Sequence, residues 1–236
     1  MKFEKIPTVA YLCLMSLLLA LGFWQLDRAE EKRAFLELQT QGRAAETLRL
    51  TAATVDKADA LRYRKIEAKG RYDVAHQFLL DNQISAGKPG YFVLTPFKLE
   101  DGDMAVLVNR GWHPLTRDRS QLPEVQMKAP PSSIRGRINN FPSVGIKLSG
   151  ADKPAAGWPS LVQVANTDFL AKALGYPLFS FMVELDENQP EGYQREWHET
   201  TVMPPEQHIA YATQWFGLAF TLTMLFIWYN RIKNNG

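Results

Sequence analysis

From Ile209 to Asn230 the chain carries no charged side chain over 22 positions, and this run constrains its fold more than any other feature. As a helix it reaches ~33 Å at ~1.5 Å per residue, enough for the ~30 Å hydrocarbon layer of a bilayer. Pro204 and Pro205 stand where a helix starts and missing N–H groups cost little, and Glu206 suits the positive N-terminal end. His208 falls in the first turn, at headgroup level. Tyr211, Ala212 and Trp215 follow at i+3, i+4 and i+7, so all four share one face. An imidazole at the lip of a membrane helix, above an aromatic and small-residue stripe, offers a seat to a flat apolar cofactor.

A second uncharged run of 21 residues, Ile6 to Leu26, lies near the start. It is longer than the ~7–15-residue apolar core of a cleaved signal peptide and includes Trp24, an interface residue, so we read it as a retained anchor. Two spans put both ends on one side of the membrane. The tails carry Lys2, Lys5, Arg231 and Lys233 against Glu4 alone, which places both termini in the cytoplasm. Nothing at the start has the Arg- and Ser-rich character of a mitochondrial transit peptide, so a bacterial plasma (inner) membrane is expected. The expected organisation is a cytoplasmic tail (1–5), a first transmembrane helix (6–26), a periplasmic domain (27–207), a second transmembrane helix (208–230) and a cytoplasmic tail (231–236).

The domain begins with a charged, amphipathic stretch, Asp27 to Gln41, that continues the first helix as a stalk. From Arg62 onward the pattern turns to short strands. Tyr63–Ala68, Gln77–Asn82, Tyr91–Leu99, Met104–Asn109, Ile134–Ile138 and Leu178–Leu185 are strand candidates, with Gly70 marking a break or bulge. Glu100–Asp103 is a hairpin turn. Residues 141–160 read as a long loop, and Thr167–Gly175 as a short helix capped by Asn166 or Thr167 and stopped by Gly175. The fold class is thus a membrane-anchored α+β protein, with two transmembrane helices flanking one mainly antiparallel β extracytoplasmic domain.

Composition excludes several functions. With 27 basic and 25 acidic residues the net charge is only +2, so no nucleic-acid surface is expected. The single cysteine, Cys13, allows no internal disulfide and no paired-cysteine metal clamp. No two of His76, His113, His198 and His208 stand at helical ligand spacing. There is no Gly-x-Ser-x-Gly elbow, His-Glu-x-x-His helix or phosphate loop. Asp81, Glu184 and Asp186 are read as surface acids, and no enzyme activity is expected.

Four stretches stand in order along this layout. They are Gly22-Phe23-Trp24-Gln25-Leu26-Asp27-Arg28; Gly90-Tyr91-Phe92-Val93-Leu94-Thr95-Pro96; Val108-Asn109-Arg110-Gly111-Trp112-His113-Pro114; and His208-Ile209-Ala210-Tyr211-Ala212-Thr213-Gln214-Trp215-Phe216. Together they resemble the surfeit locus protein 1 family, the cytochrome c oxidase assembly factors, over nearly the whole chain. The resemblance implies an assembly factor for haem-copper cytochrome c oxidase that binds or presents haem a for the catalytic subunit. Haem a synthase is a further possible partner, beside the lipid bilayer. The alternative is a non-catalytic accessory subunit or scaffold retained on the mature oxidase. The family's haem-ligating histidine, in His-x-x-Tyr-Ala-x-x-Trp, corresponds here to His208.

In an antiparallel pair of spans, Trp24 and Gln25 lie near the outer end of the second helix. The expected site is therefore a shallow slot with His208 as axial ligand to haem iron and Tyr211, Trp215, Trp24 and Gln25 around it. The plainer readings are an interface histidine, and lipid-facing aromatics at Trp24, Trp215 and Trp228. Gln214, inside the span, wants a partner: Gln25, another subunit, or helix-to-helix packing alone. Arg110-Gly111-Trp112 reads as a strand end with a tight turn, a partner or haem-propionate contact being the weaker reading. His76 and His198 read as loop histidines.

Overall fold

A computed structural model describes residues 4–116, 121–142, 153–197 and 203–235. It divides into two compact units, Met1–Glu37 with Glu199–Gly236, and Leu38–His198.

The first unit consists of most of helix α1 (Lys5–Ala44) and a helix near the C-terminus (Pro205–Asn235). Both are long and apolar enough to cross a membrane. They lie antiparallel. Tyr11 stacks on Phe226 with ring centroids 4.2 Å apart and its hydroxyl lies 3.1 Å from that of Thr223. Further along, a side chain added at Gly22 would meet the Phe216 ring at 2.5 Å. The covered residues of α1 recur as Tyr11, Met15, Leu18, Gly22, Gln25 and Ala29. That alternation of four and three is the 3.5-residue repeat of a left-handed helix pair. At the far end, Glu4 accepts hydrogen bonds from Tyr229 and Lys233.

The second unit holds the last turns of α1, where Gly42 packs on Tyr63, and then a β domain. Its elements are β1 (Leu48–Arg49), α2 (Ala58–Leu61), β2 (Lys65–Tyr72), β3 (Phe78–Ser85), β4 (Lys88–Leu99), β5 (Ala105–Pro114), β6 (Ser133–Asn139), β7 (Ser160–Val162), α3 (Thr167–Leu174) and β8 (Leu178–Leu185). The C-terminal helix is α4. The strands run β1-β2-β6-β8-β5-β4-β3-β7, and β2 pairs with β4 as well. That extra pairing closes β2, β6, β8, β5 and β4 into a barrel.

Closure happens at one glycine. β2 shares its second edge between β1, opposite Ile66 and Glu67, and β4, opposite Gly70 to Tyr72. A Cβ at Gly70 would stand 2.0 Å from the Lys98 carbonyl oxygen, so any side chain would push the two strands apart. Gly70 is thus a close approach between strands. Inside the barrel Ile66, Ala68, Tyr72, Phe97, Val106, Val108, Ile134, Ile138, Phe179, Phe181 and Val183 form the core. Each such buried Phe or Val contributes about 1.5–3 kcal/mol.

The hairpin across Glu100–Asp103 forms, with Leu99 N–H donating to the Met104 carbonyl at 3.0 Å. α3 forms as the sequence suggests: the Asn166 side chain accepts from Asp168 N–H, and Gly175 ends the helix at φ 79°. Pairings are mainly antiparallel, with β1–β2, β3–β7 and β5–β8 parallel. The expected 141–160 loop has strand β7 beginning at its last residue, Ser160, while residues 143–152 lie outside the described ones.

Candidate functional site

His208 sits in the first turn of α4, on the side turned to α1, and is only 6% exposed. Its Nδ1 lies 2.7 Å from Gln25 Oε1. A carbonyl oxygen only accepts, so Nδ1 carries the proton, and in the neutral imidazole Nε2 then keeps its lone pair. Nε2 is buried and has no hydrogen-bond partner among the described residues. Such an orphaned acceptor is rare, because burying it unsatisfied costs about 1–3 kcal/mol. An imidazole with one nitrogen fixed by an acceptor and the other free is the donor arrangement of a metal-ligating histidine. Among the described residues no three His, Cys, Asp or Glu groups stand together, so a metal ion held by protein ligands alone has no such cage here. A prosthetic group that brings its own equatorial ligands needs only one imidazole, and in that respect the site fits haem iron.

The Val-Asn-Arg-Gly-Trp stretch at the end of β5 forms a different kind of polar site. Arg110 is 1% exposed and every edge of its guanidinium is engaged. Nε donates to the Glu191 carbonyl at 2.7 Å, and Nη1 to Gln77 Oε1 at 2.8 Å and to the Val125 carbonyl at 3.0 Å. Nη2 faces the Glu191 carboxylate at 3.8 Å, and the group lies over the Tyr193 ring. Burial pulls the guanidinium below its ordinary pKa, with Tyr193, Tyr72 and Glu191 opposing that shift. Gly111 adopts φ 117°, and a Cβ there would meet the Gln194 carbonyl at 2.7 Å. This lets Trp112 N–H reach the same carbonyl. Arg110 therefore ties Gln77, Val125 and Glu191 together, and its buried guanidinium is engaged by these internal contacts.

A sequence model of the SURF1 family matches residues 12–220. The chain belongs to the SURF1 family. It is 28% identical to a SURF1-like protein of Rickettsia conorii, over 92% of this chain and 88% of the relative. It is 28% identical to surfeit locus protein 1 of Arabidopsis thaliana, over 90% and 74% of the two chains. The corresponding protein of Takifugu rubripes is 25% identical over 84% and 86%.

In this SURF1 family chain, the five residues expected at the site separate into two groups. His208 and Gln25 are brought into direct contact, although 183 positions apart. Trp24 and Tyr211 point outward, 52% and 45% exposed, and Trp215 is half-buried. Gln25 bonds His208 and not Gln214. Ala212 is buried in the seam at 1% exposure beside His208 on the same helix face. Gly22 and Phe216, which lock the helices next to the site, were not singled out from the sequence. The spacing of Gly22, Gln25 and Ala29 along α1, three and then four, is the signal the sequence carries.

The other histidines have local bonds. His113 Nδ1 contacts the Pro114 carbonyl at 2.8 Å. His76 Nδ1 lies 2.9 Å from Asp73, which also accepts from Tyr176 at 2.8 Å and faces Lys98 at 3.6 Å. Burial pushes the Asp73 carboxyl up, but the hydrogen bonds from His76 and Tyr176 outweigh it and hold the carboxyl below its usual range. His198 lies outside the described residues. Glu184 is not a surface acid: it is 5% exposed and bonded to Arg137 and Asn139.

Proposed function

We propose that the chain is a membrane-bound assembly factor for haem-copper cytochrome c oxidase that holds haem a for the catalytic subunit, with His208 Nε2 as axial ligand. It acts without turnover of its own, anchored in a bacterial inner membrane with both termini cytoplasmic and the β domain periplasmic. The observation that carries this reading is the orphaned, buried Nε2 of an imidazole whose Nδ1 is fixed by Gln25.

Gln25 sets the tautomer and the ring orientation, and so presents the lone pair of Nε2 rather than an N–H. Nε2 is covered in the seam, so ligation requires the ring to swing outward or the helices to part at that level. The exposed Trp24 and Tyr211, at the same end of the pair, provide apolar surface for a flat ring system and keep water from it. Haem a supplies the iron that accepts the imidazole and the redox chemistry of the oxidase it is destined for.

Co-expression with the haem a biosynthetic enzymes, purification in detergent and a visible spectrum test this reading. Haem a bands in the wild type are expected. A colourless wild type under verified haem a supply would favour a scaffold or accessory subunit instead.

A further inference from the structure

As the helices stand, Nε2 of His208 is buried in the seam, so an iron atom at the centre of a macrocycle cannot reach it unless something moves. The two ends of the pair are fastened differently. At one end Glu4 accepts hydrogen bonds from Tyr229 and Lys233, Tyr11 stacks on Phe226 at 4.2 Å, and the Tyr11 hydroxyl lies 3.1 Å from that of Thr223. At the other end the cross-helix hydrogen bond is that of His208 to Gln25, and Ala29 and Ala212, 2% and 1% exposed, are buried beside it. Between them the Phe216 ring seats in the notch left by Gly22. Alanine and glycine have few side-chain atoms to separate, whereas parting the Glu4 end would give up charge-assisted bonds and a ring stack.

We infer that the pair is hinged at the Glu4 end and opens at the His208 end, and that this opening is what uncovers Nε2. The inference rests on reading His208 as the haem ligand. Turning the ring out by itself would break the Nδ1–H bond and leave the Gln25 amide, 9% exposed, unpaired in the seam. Parting the helices avoids this. The Gln25 side chain has three rotatable bonds and can follow the imidazole, so Nε2 comes free with its tautomer still fixed. Gly22 is then the closing surface, because the Phe216 ring returns to a place that any side chain there would fill.

Diethyl pyrocarbonate, which acylates a free imidazole nitrogen, tests the hinge without haem. In the full chain in its own membranes, His113 is the reference, since its Nδ1 is likewise bonded to a carbonyl, at an accessible site. His208 is expected to react about tenfold or more slowly than His113, because it reacts only from the opened pair. Two variants, each carrying Cys13→Ser, locate the opening. Gly22→Cys with Phe216→Cys, joined by a short bifunctional thiol reagent, is expected to suppress His208 modification relative to the same variant unjoined. Tyr11→Cys with Phe226→Cys, joined the same way, is expected to leave it unchanged. His208 as reactive as His113, a rate indifferent to the join at Gly22, or equal suppression by both joins would each overturn the hinge. Haem a uptake by the same preparations separates the two claims. Suppressed uptake in the chain joined at Gly22 accompanies the hinge, whereas a wild type that stays colourless while the modification pattern holds removes the haem reading and leaves the hinge standing.

Discussion

Two buried nitrogen-bearing side chains in this protein are treated in opposite ways. Arg110 in the β domain finds a partner on every edge, drawn from four separate stretches of chain, around Gln77, Thr95, Val125 and Glu191. His208 in the helix pair finds one partner for one nitrogen and, among the described residues, none for the other. The first arrangement is that of a structural tie, where an unpaired group would only cost stability. The second retains an unsatisfied acceptor at a fixed place, and the simplest reason is a ligand that uses it. Burial alone does not distinguish the two residues; the count of satisfied atoms does.

Removing each residue sharpens that contrast. Arg110→Ala leaves Gln77 Oε1 and the Val125 carbonyl without their donor, and the expected loss is about 3 kcal/mol or more. Thermal unfolding of the β domain measures it, and Arg110→Lys is expected to rescue little, because an ammonium cannot reproduce the fork. His208→Ala is expected to leave that unfolding unchanged while abolishing haem a absorbance. If both variants destabilised the domain equally, the distinction would fail.

Gln25→Leu is a milder test. It removes the acceptor that fixes the tautomer, and haem a affinity is expected to fall about 10- to 100-fold with the helices still paired. Titration of the purified chain with haem a reads this directly. An unchanged affinity would show that Gln25 only packs the seam.

The smallest effect concerns pH. The folded Asp73 carboxyl is held below its usual range, so it stabilises the domain above the ordinary carboxylate pKa. That contribution is lost as pH falls through the depressed folded value, below about pH 4. Denaturant midpoints taken from neutral to acid pH should fall less steeply in Asp73→Asn than in the wild type. Neither Arg110 nor His208 is part of this network, so Asp73→Asn is expected to leave haem binding at neutral pH unchanged.

Signals carried by neighbours in sequence were readable. The uncharged runs gave both long helices, the charged stalk continued α1 to Ala44, and Asn166 with Gly175 bounded α3. β8 coincides with the apolar run Leu178–Leu185. Barrel closure was not readable, because it depends on β2 meeting β4 at Gly70, and a lone glycine in a strand marks a bulge equally well. Two-residue β1 and three-residue β7 are too short to show a period. At the site, His208 stood out by position at the head of a span. Its bond to Gln25 needed the register of two helices, which neither helix encodes by itself. Arg110 offered less, since Gln77, Thr95, Val125 and Glu191 converge on it only after folding.

The most direct measurement is the visible spectrum of His208→Gly, purified with haem a supplied, before and after adding free imidazole. The glycine variant is expected to be colourless or spectrally shifted, and imidazole to restore the wild-type bands by filling the vacated ligand position. A glycine variant with an unaltered haem a spectrum, indifferent to imidazole, would contradict it.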